Sequence, residues 1–172
     1  IGAWMQSRGV RQEIFIATKV GFNYRDVPLG TSAGLIRQES EKSLRNLGVD
    51  RIDLYYTHLD DRQTPQEETL RTLDALVREG KVGLIGASNH AAWRMEGAFQ
   101  ICKKEGLTQY VALQNHHSYL RPRPEVDWGD NGVMDNEHFD FARNRDVRLL
   151  AYFSLLKVTY FREDRPLGWS FD

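Results

Sequence analysis

The regular alternation of strand-like and helix-like segments constrains this chain more than any other feature. Five short runs rich in apolar and β-branched residues are separated by segments whose apolar residues recur at helical spacing. Consecutive strands joined through a helix run parallel, because a parallel connection needs a long crossover. The sequence therefore predicts a parallel α/β sheet with strands at Glu13–Thr18, Arg51–Thr57, Lys81–Ala87, Tyr110–Leu113 and Val147–Ala151.

Two architectures satisfy this alternation, an open doubly wound sheet and a closed barrel. A doubly wound dinucleotide site needs a glycine-rich turn directly after a strand. The spaced glycines Gly80, Gly83 and Gly86 instead lie before and inside the third predicted strand. The pattern therefore favours a (β/α)8 TIM barrel that is incomplete, with about five β/α units.

The first residues indicate that the barrel is cut. The chain starts at Ile1 instead of methionine, and residues 1–9 have the pattern of a helix end closed by Gly9. We expect a single domain over residues 1–172 that is truncated at both ends.

Charge and cysteine content narrow the choice of partners. Lysine and arginine number 23 against 24 acidic residues, so the net charge of -1 predicts neither nucleic-acid nor membrane binding. A small molecule is the expected partner, and the sequence does not indicate an oligomeric state. The single cysteine, Cys102, fits a reducing compartment, and we expect a cytoplasmic protein.

Polar groups follow or end all five predicted strands. In a parallel barrel the loops at the carboxyl ends of the strands build the active site. Each residue alone has a structural interpretation: a solvated lysine, a core histidine, a helix cap or a loop amide. Together they form a candidate site made of Lys19, His58, Ser88, Asn89, Gln114 and Tyr152.

The longer sequence motifs around these positions resemble those of a known protein family. Three motifs, Ile16–Lys19, Ser43–His58 and Gly80–Asn89, resemble successive signatures of the aldo-keto reductases in both order and spacing. Val111–Asn115 and Ala151–Leu155 are similar to the next two strand ends of that family.

The resemblance implies an oxidoreductase that reduces aldehydes or ketones to alcohols by hydride transfer from NADPH or, less often, NADH. By motif, His58 matches the histidine that orients the carbonyl of a small-molecule substrate, and Lys19 matches the lysine that lowers the pKa of a catalytic tyrosine. The residues that match the nicotinamide site are Ser88, Asn89 and Gln114 for the carboxamide and Tyr152 for stacking on the ring.

The resemblance also implies that some functional residues of the family are missing from this chain. The catalytic tyrosine and aspartate of the family precede the first strand seen here, and the residues that bind the adenosine phosphate follow the last one. We therefore expect this fragment to be inactive by itself, and the choice between NADPH and NADH is not readable. Two alternatives stay open: a non-enzymatic, cofactor-binding regulatory subunit of the same fold, and a truncated, non-functional product.

Residues beside the site give further expectations. Tyr56, two positions before His58, is predicted to be core, on the same side of the strand but deeper in the barrel. Leu59 stands where many family members carry tryptophan, so Phe22 is expected to line the substrate pocket instead.

The sequence also predicts the locations of the remaining histidines, one helix cap and two loops. His116 and His117 point to opposite faces and predict no metal site, and His90 and His138 are expected at the surface. Local signals predict a helix capping box at Thr64–Glu67 and loops at Arg121–Gly132 and Phe161–Asp172.

Overall fold

A computed structural model describes residues 1–121, 123 and 127–156 of the chain. Its five strands are β1 (Ala17–Val20), β2 (Ile52–Thr57), β3 (Val82–Ser88), β4 (Ala112–His116) and β5 (Arg148–Tyr152). Its five α-helices are α1 (Gly2–Arg8), α2 (Ala33–Leu47), α3 (Gln66–Arg78), α4 (Ala92–Glu105) and α5 (Asn136–Arg145). A 3₁₀ turn at Arg11–Glu13 precedes β1.

The strand order decides between the two predicted architectures. The strands lie side by side in the order β1-β2-β3-β4-β5, and all four neighbouring pairs are parallel. A doubly wound sheet would reverse its direction at a switch point, whereas a singly wound sheet adds each new strand on the same side. The arrangement is that of a partial (β/α)8 barrel, which confirms the predicted fold class.

The two faces of the sheet are packed unequally. On one face, Tyr55, Ile85 and Leu113 join the apolar side chains of α2 to α5 in the main hydrophobic core. On the other face, Leu54, Tyr56 and Ala112 form a small separate cluster. Because strand side chains alternate between faces, neighbouring residues such as Tyr55 and Tyr56 serve different cores.

The first strand and the third helix start differently in the structure than the sequence predicts. The first strand begins at Ala17 instead of Glu13, because Glu13 belongs to the 3₁₀ turn. The predicted capping box at Thr64–Glu67 is wrong, since Pro65 is the N-cap of α3 and no side chain caps that helix. The hydroxyl of Thr64 donates to the carboxylate of Asp61 instead, at 2.6 Å, and a charged acceptor makes the stronger hydrogen bond.

The predicted features near the two ends of the chain are covered unequally by the described residues. The predicted helix end closed by Gly9 is present as α1. Part of the predicted loop at Arg121–Gly132 and all of Phe161–Asp172 lie outside the described residues. Among the helices that the structure describes, none combines the length and the apolar character needed to cross a membrane.

Candidate active site

The six candidate residues lie at the carboxyl ends of the five strands. Lys19, Ser88, Gln114 and Tyr152 lie in the last three residues of their strands, and His58 and Asn89 directly follow β2 and β3. Strand register brings Ser88 opposite Gln114, and Lys19 opposite Tyr56. The structure thus gathers all six residues along one edge of the sheet.

His58 is held at this edge by its backbone and by an aromatic neighbour. Its amide N–H donates to the carbonyl of Val20 at 2.7 Å. Its ring meets the ring of Phe22 edge-on, with 4.5 Å between the centroids. Burial, and then the positive charge of Lys19, lower the pKa of His58 to about 4. The imidazole is therefore neutral at physiological pH and can donate one hydrogen bond while its other nitrogen accepts.

Lys19 stands beside Tyr56 on the inner face of the barrel. Its Nζ lies 5.8 Å from the centroid of the Tyr56 ring, and burial lowers the pKa of the ammonium group. It forms no ion pair with any residue in the described part of the chain. The charge of Lys19 therefore acts on whatever group enters the space next to His58.

Tyr56 is a core residue, as predicted. It is 2 % exposed, and burial raises the pKa of its hydroxyl. Its ring fills the space above Gly86, where a Cβ atom would come within 2.5 Å of it. The hydroxyl has no hydrogen-bond partner among the described residues.

Phe22, and not the residue after His58, gives the imidazole its aromatic neighbour. Leu59 is 1 % exposed and packs beside Gly21, where an added Cβ atom would lie 3.6 Å from Leu59 Cγ. A side chain this deeply buried cannot line an open pocket. Phe22 contacts His58, and its place in a substrate pocket stays a prediction.

Asn89 has a saturated side-chain amide. Its Nδ2 donates to the carbonyl of His58 at 2.8 Å and to Ser88 Oγ at 3.3 Å. Its Oδ1 accepts from the hydroxyl of Tyr152 at 2.8 Å and from the N–H of Gly132 at 3.0 Å. The residue adopts the left-handed conformation with φ 60°, which asparagine tolerates better than most residues.

Ser88 and Gln114 differ in how much of their side chains remains available. The hydroxyl of Ser88 donates to the backbone carbonyl of Gln114 at 2.7 Å, and the residue is 1 % exposed. Gln114 is partly exposed, and its side-chain amide forms no hydrogen bond with a described residue. Of these two predicted carboxamide ligands, only Gln114 presents a free polar group to the edge.

Two buried histidines support the turn after β3, and the prediction that they lie at the surface is wrong. His90 and His138 are 4 % and 5 % exposed. Nδ1 of His90 donates to the carbonyl of Ser88 at 2.8 Å, and Nε2 of His138 donates to the carbonyl of His90 at 3.0 Å. His138 also forms a capping box with Asp135 at the start of α5. The capping box is local to the start of α5, whereas the burial of His138 follows from its contact with His90, 48 positions earlier.

Asp61 is a further residue that the sequence did not single out. Its carboxylate accepts hydrogen bonds from the backbone N–H groups of Thr31, Gln63 and Thr64 and from the hydroxyls of Thr31 and Thr64. These contacts join the loop after β1, which carries Phe22, to the loop after β2, which carries His58. Asp61 thus links the loop that carries Phe22 to the loop that carries His58.

A cavity of about 470 Å³ borders Asn89. Its walls include Asp60, Arg62 and His90 together with the loop at 129–133. The carboxylate of Asp60 is already neutralised by Arg94, whose Nε lies 2.9 Å from Oδ1. This cavity is separate from the Phe22 contact with His58.

No metal site is present among the described residues, in which no three histidine, cysteine or acidic side chains converge. The ring of His116 stacks on Trp128, with 5.2 Å between centroids, whereas His117 meets Phe139 edge-on. The two adjacent histidines therefore serve different packing environments.

Comparison with known proteins decides the family. The family model described as the Aldo/keto reductase family matches residues 1–166. The chain belongs to this family. Relatives from three organisms illustrate how much of an aldo-keto reductase the chain covers, and all of them are considerably longer than it is.

The chain is 42% identical over 141 residues to aflatoxin B1 aldehyde reductase member 4 of Homo sapiens, covering 77% of this chain and 40% of that protein. It is 34% identical over 126 residues to norsolorinic acid reductase A of Aspergillus parasiticus, covering 69% of this chain and 32% of that protein. It is 36% identical over 134 residues to the uncharacterized oxidoreductase YrpG of Bacillus subtilis, covering 74% and 41%. The chain thus spans about a third of the length of the first relatives. Its membership of the family supports the conclusion that it is an oxidoreductase.

Proposed function

We propose that this aldo-keto reductase chain contributes the carbonyl-orienting and nicotinamide-binding half of an enzyme that reduces aldehydes or ketones with NADPH, or with NADH. One observation carries the proposal: a neutral imidazole, His58, lies at the same strand edge as the Lys19 charge and the free amide of Gln114. Two relatives are named as reductases of an aldehyde and of norsolorinic acid, which supports a carbonyl substrate.

The residues at the edge fit a nicotinamide cofactor. Gln114 offers an amide that can both donate to and accept from a carboxamide, and Tyr152 offers a partly exposed aromatic surface at the end of β5. When bound, the cofactor supplies the hydride. The edge residues would bind the nicotinamide and fix which face of it meets the substrate.

His58 would orient the substrate. The low pKa of the imidazolium form keeps the ring neutral at physiological pH. The neutral ring retains one N–H, which would donate a hydrogen bond to the carbonyl oxygen. The edge of Phe22 restricts the ring of His58 and presents an apolar surface to the rest of the substrate. An aromatic aldehyde is therefore the first substrate to test.

Proton donation is the step that the described residues do not supply. No tyrosine in the described ranges forms a hydrogen bond with Lys19 or with the imidazole of His58, and the Tyr152 hydroxyl is bonded to Asn89. A missing general acid costs about 10²-fold to 10⁴-fold in rate. We propose that the 172-residue chain binds the cofactor but turns over slowly by itself.

The test measures NADPH oxidation with benzaldehyde, using this chain and the polypeptide encoded by the whole open reading frame around it. We expect turnover in the longer polypeptide, a loss of at least about 10²-fold with His58→Gln, and less than about 5-fold with the control Tyr56→Phe. Equal effects of the two substitutions would remove His58 from the assignment. Rapid turnover by this chain alone would refute its proposed inactivity.

A second candidate is a cofactor-binding regulatory subunit of the same fold, favoured by the missing proton donor among the described residues. It predicts NADPH binding, measured by fluorescence titration, without aldehyde reduction in either polypeptide. The two measurements together separate the candidates.

A further inference from the structure

We infer that Tyr24 and Glu39 are positioning residues, whose hydrogen bond latches the loop after β1 onto α2 and thereby holds the ring of Phe22 against His58. We call this loop, residues 22–29, the strap. The latch concerns the chain without any ligand. Only its consequence for the reaction rests on the proposed function, in which His58 orients the carbonyl.

The strap is closed at its base and stiffened at its tip. At the base, the N–H of Gly30 donates to the carbonyl of Gly21 at 2.8 Å. Gly21 and Gly30 have φ values of 127° and 141°, which residues with side chains rarely adopt. At the tip, Tyr24 and Val27 exchange two backbone hydrogen bonds of 3.2 and 2.9 Å. The strap is therefore a compact loop that can move as one unit about its two glycines.

Few side chains fasten this unit to the rest of the fold. Residues 23–26, 28 and 29 are exposed. Of the side chains of the strap, only those of Phe22 and Tyr24 form ring contacts or hydrogen bonds with other described residues. A segment with few buried contacts opens at a low cost in free energy unless a strong interaction holds it. The strap is therefore fixed mainly by these two side chains.

The Tyr24 contact is the stronger of the two, because its acceptor is a buried carboxylate. Glu39 lies in α2 and is 6 % exposed, and its Oε2 accepts from the Tyr24 hydroxyl. Oε1 of Glu39 has no hydrogen-bond partner among the described residues, so in this part of the chain Tyr24 is the one hydrogen-bond donor to the carboxylate. Hydrogen bonds to ionised groups are strong, and a buried carboxylate that loses its donor is costly. Glu39 therefore keeps the hydroxyl of Tyr24 on α2.

Lys42 supports the latch from the solvent side. Its Nζ donates to the Tyr24 hydroxyl oxygen at 2.7 Å and lies 3.6 Å from Oε1 of Glu39. The side chain of Lys42 is 38% exposed, and contacts between charges in solvent contribute little to stability. The latch therefore depends on Glu39, and Lys42 offers a control substitution on the same helix.

The latch acts on His58 through the position of Phe22. Phe22 precedes Tyr24 by two residues, and its ring meets the imidazole edge-on with 4.5 Å between the centroids. His58 is half-buried, and burial is the main cause of its low pKa. Release of Tyr24 would let the strap carry Phe22 away and admit water to the imidazole.

The first experiment measures the opening of the strap by limited trypsin digestion of the ligand-free chain, since the exposed Arg25 lies at the tip. Cleavage follows the population of the open form when opening and closing are fast. We expect Tyr24→Phe and Glu39→Met each to accelerate cleavage after Arg25 by about 10-fold to 10²-fold, the value of a hydrogen bond to a charged group. The double variant should be cleaved little faster than either single variant, because both substitutions remove the same bond.

Two controls distinguish a latch from a general loss of stability. Lys42→Met should change the cleavage rate by less than about 5-fold, because it removes only an exposed contact. Asp74→Ala removes a buried acceptor that joins α3 to the loop before β4. It should lower the urea midpoint and leave cleavage after Arg25 unchanged. An effect of Lys42→Met as large as that of Tyr24→Phe, or additivity of Tyr24→Phe with Glu39→Met, would overturn the latch.

The second experiment tests the link to His58 by NMR titration of its ring protons. We expect Tyr24→Phe to raise the pKa of His58 from about 4 toward the ordinary value of about 6.5 and to shift its ring signals. Phe22→Ala should cause the same changes, and Tyr24→Phe should add little to them. Glu39→Gln keeps an acceptor oxygen and should have a smaller effect than Glu39→Met. Faster cleavage after Arg25 with unchanged His58 signals would overturn the positioning role.

Neither experiment uses a cofactor or a substrate, so both are independent of the proposed reduction. Full turnover of the longer polypeptide with His58→Gln would overturn the proposed role of His58 and leave the latch in place. Unchanged cleavage and unchanged His58 signals in Tyr24→Phe would overturn the latch, whatever the reductase activity.

Discussion

The ring of Tyr56 occupies the space that a side chain at Gly86 would need, with ring carbon Cε1 2.5 Å from the position of a Cβ atom. The two residues are register partners on β2 and β3. Tyr56 can therefore lie across the inner face of the sheet below His58 only because its neighbour is glycine.

Gly86→Ala should destabilise the chain by about 1–3 kcal/mol, because a rigid, buried ring cannot move away from the added methyl group. Urea unfolding measures the change. Gly34→Ala is the control, since Gly34 lies in α2 with no atom within 4 Å of its Cβ position, and alanine should be neutral or stabilising there. Equal stability of the Gly86→Ala variant and the wild type would contradict the packing.

Lys19→Met should raise the pKa of His58 from about 4, because it removes the smaller of the two causes that lower this pKa. Burial remains, so the value should stay below the ordinary value of about 6.5. NMR titration of the His58 ring protons measures the change, and Lys42→Met on the distant surface should leave it unaltered. An unchanged His58 pKa in Lys19→Met would show that the two groups are not coupled.

The same pKa determines how stability depends on pH. The folded-state pKa of His58 is lower than that of the unfolded chain, so the unfolded chain binds more protons between pH values of about 4 and 6.5. This contribution to stability is present above about pH 6.5 and is lost as the pH falls toward 4. His58→Gln should make the loss of stability over this range shallower. An identical pH profile for the variant would contradict the prediction.

Asp61→Ala should destabilise the chain by about 2–4 kcal/mol, since it leaves the buried donors of Thr31 and the partly buried donors of Thr64 without their acceptor. Asp50→Ala, at an exposed position, is the control and should have little effect. Burial by itself would raise the pKa of Asp61, but the hydrogen bonds outweigh burial and lower it. Its contribution should therefore be present above about pH 4 and be lost as the pH falls further. Unfolding at several pH values tests both effects.

Cys102 should react with iodoacetamide at least about 10²-fold more slowly in the folded chain than in urea. The residue is 2 % exposed, and burial, followed by the charges of Asp74 and Glu105, raises the pKa of its thiol to about 11. Mass spectrometry of timed samples measures the rate. Fast labelling without denaturant would mean that α4 separates readily from the core.

Sequence alone determined the strand ends. Lys19, His58, Gln114 and Tyr152 could be placed at one edge because parallel strands present their carboxyl ends together, and hydrophobic periodicity is enough to locate the strands. The family motifs then implied chemical roles for the residues at the same positions. Both signals are local, since each depends on a few consecutive residues.

Only the tertiary structure decided how the groups at that edge are used. The hydroxyl of Tyr152 meets Asn89 across 63 positions of sequence, and Asp61 meets Thr31 across 30. Such contacts depend on the register of strands and on loop paths, which hydrophobic periodicity does not encode. The same long-range contacts buried His90 and His138, because their ring nitrogens found backbone carbonyls inside the fold. The residue types in the sequence determined which polar side chains lie at the carboxyl ends of the strands. Hydrogen bonds between distant segments of the chain decided which of these side chains remain free to bind a ligand.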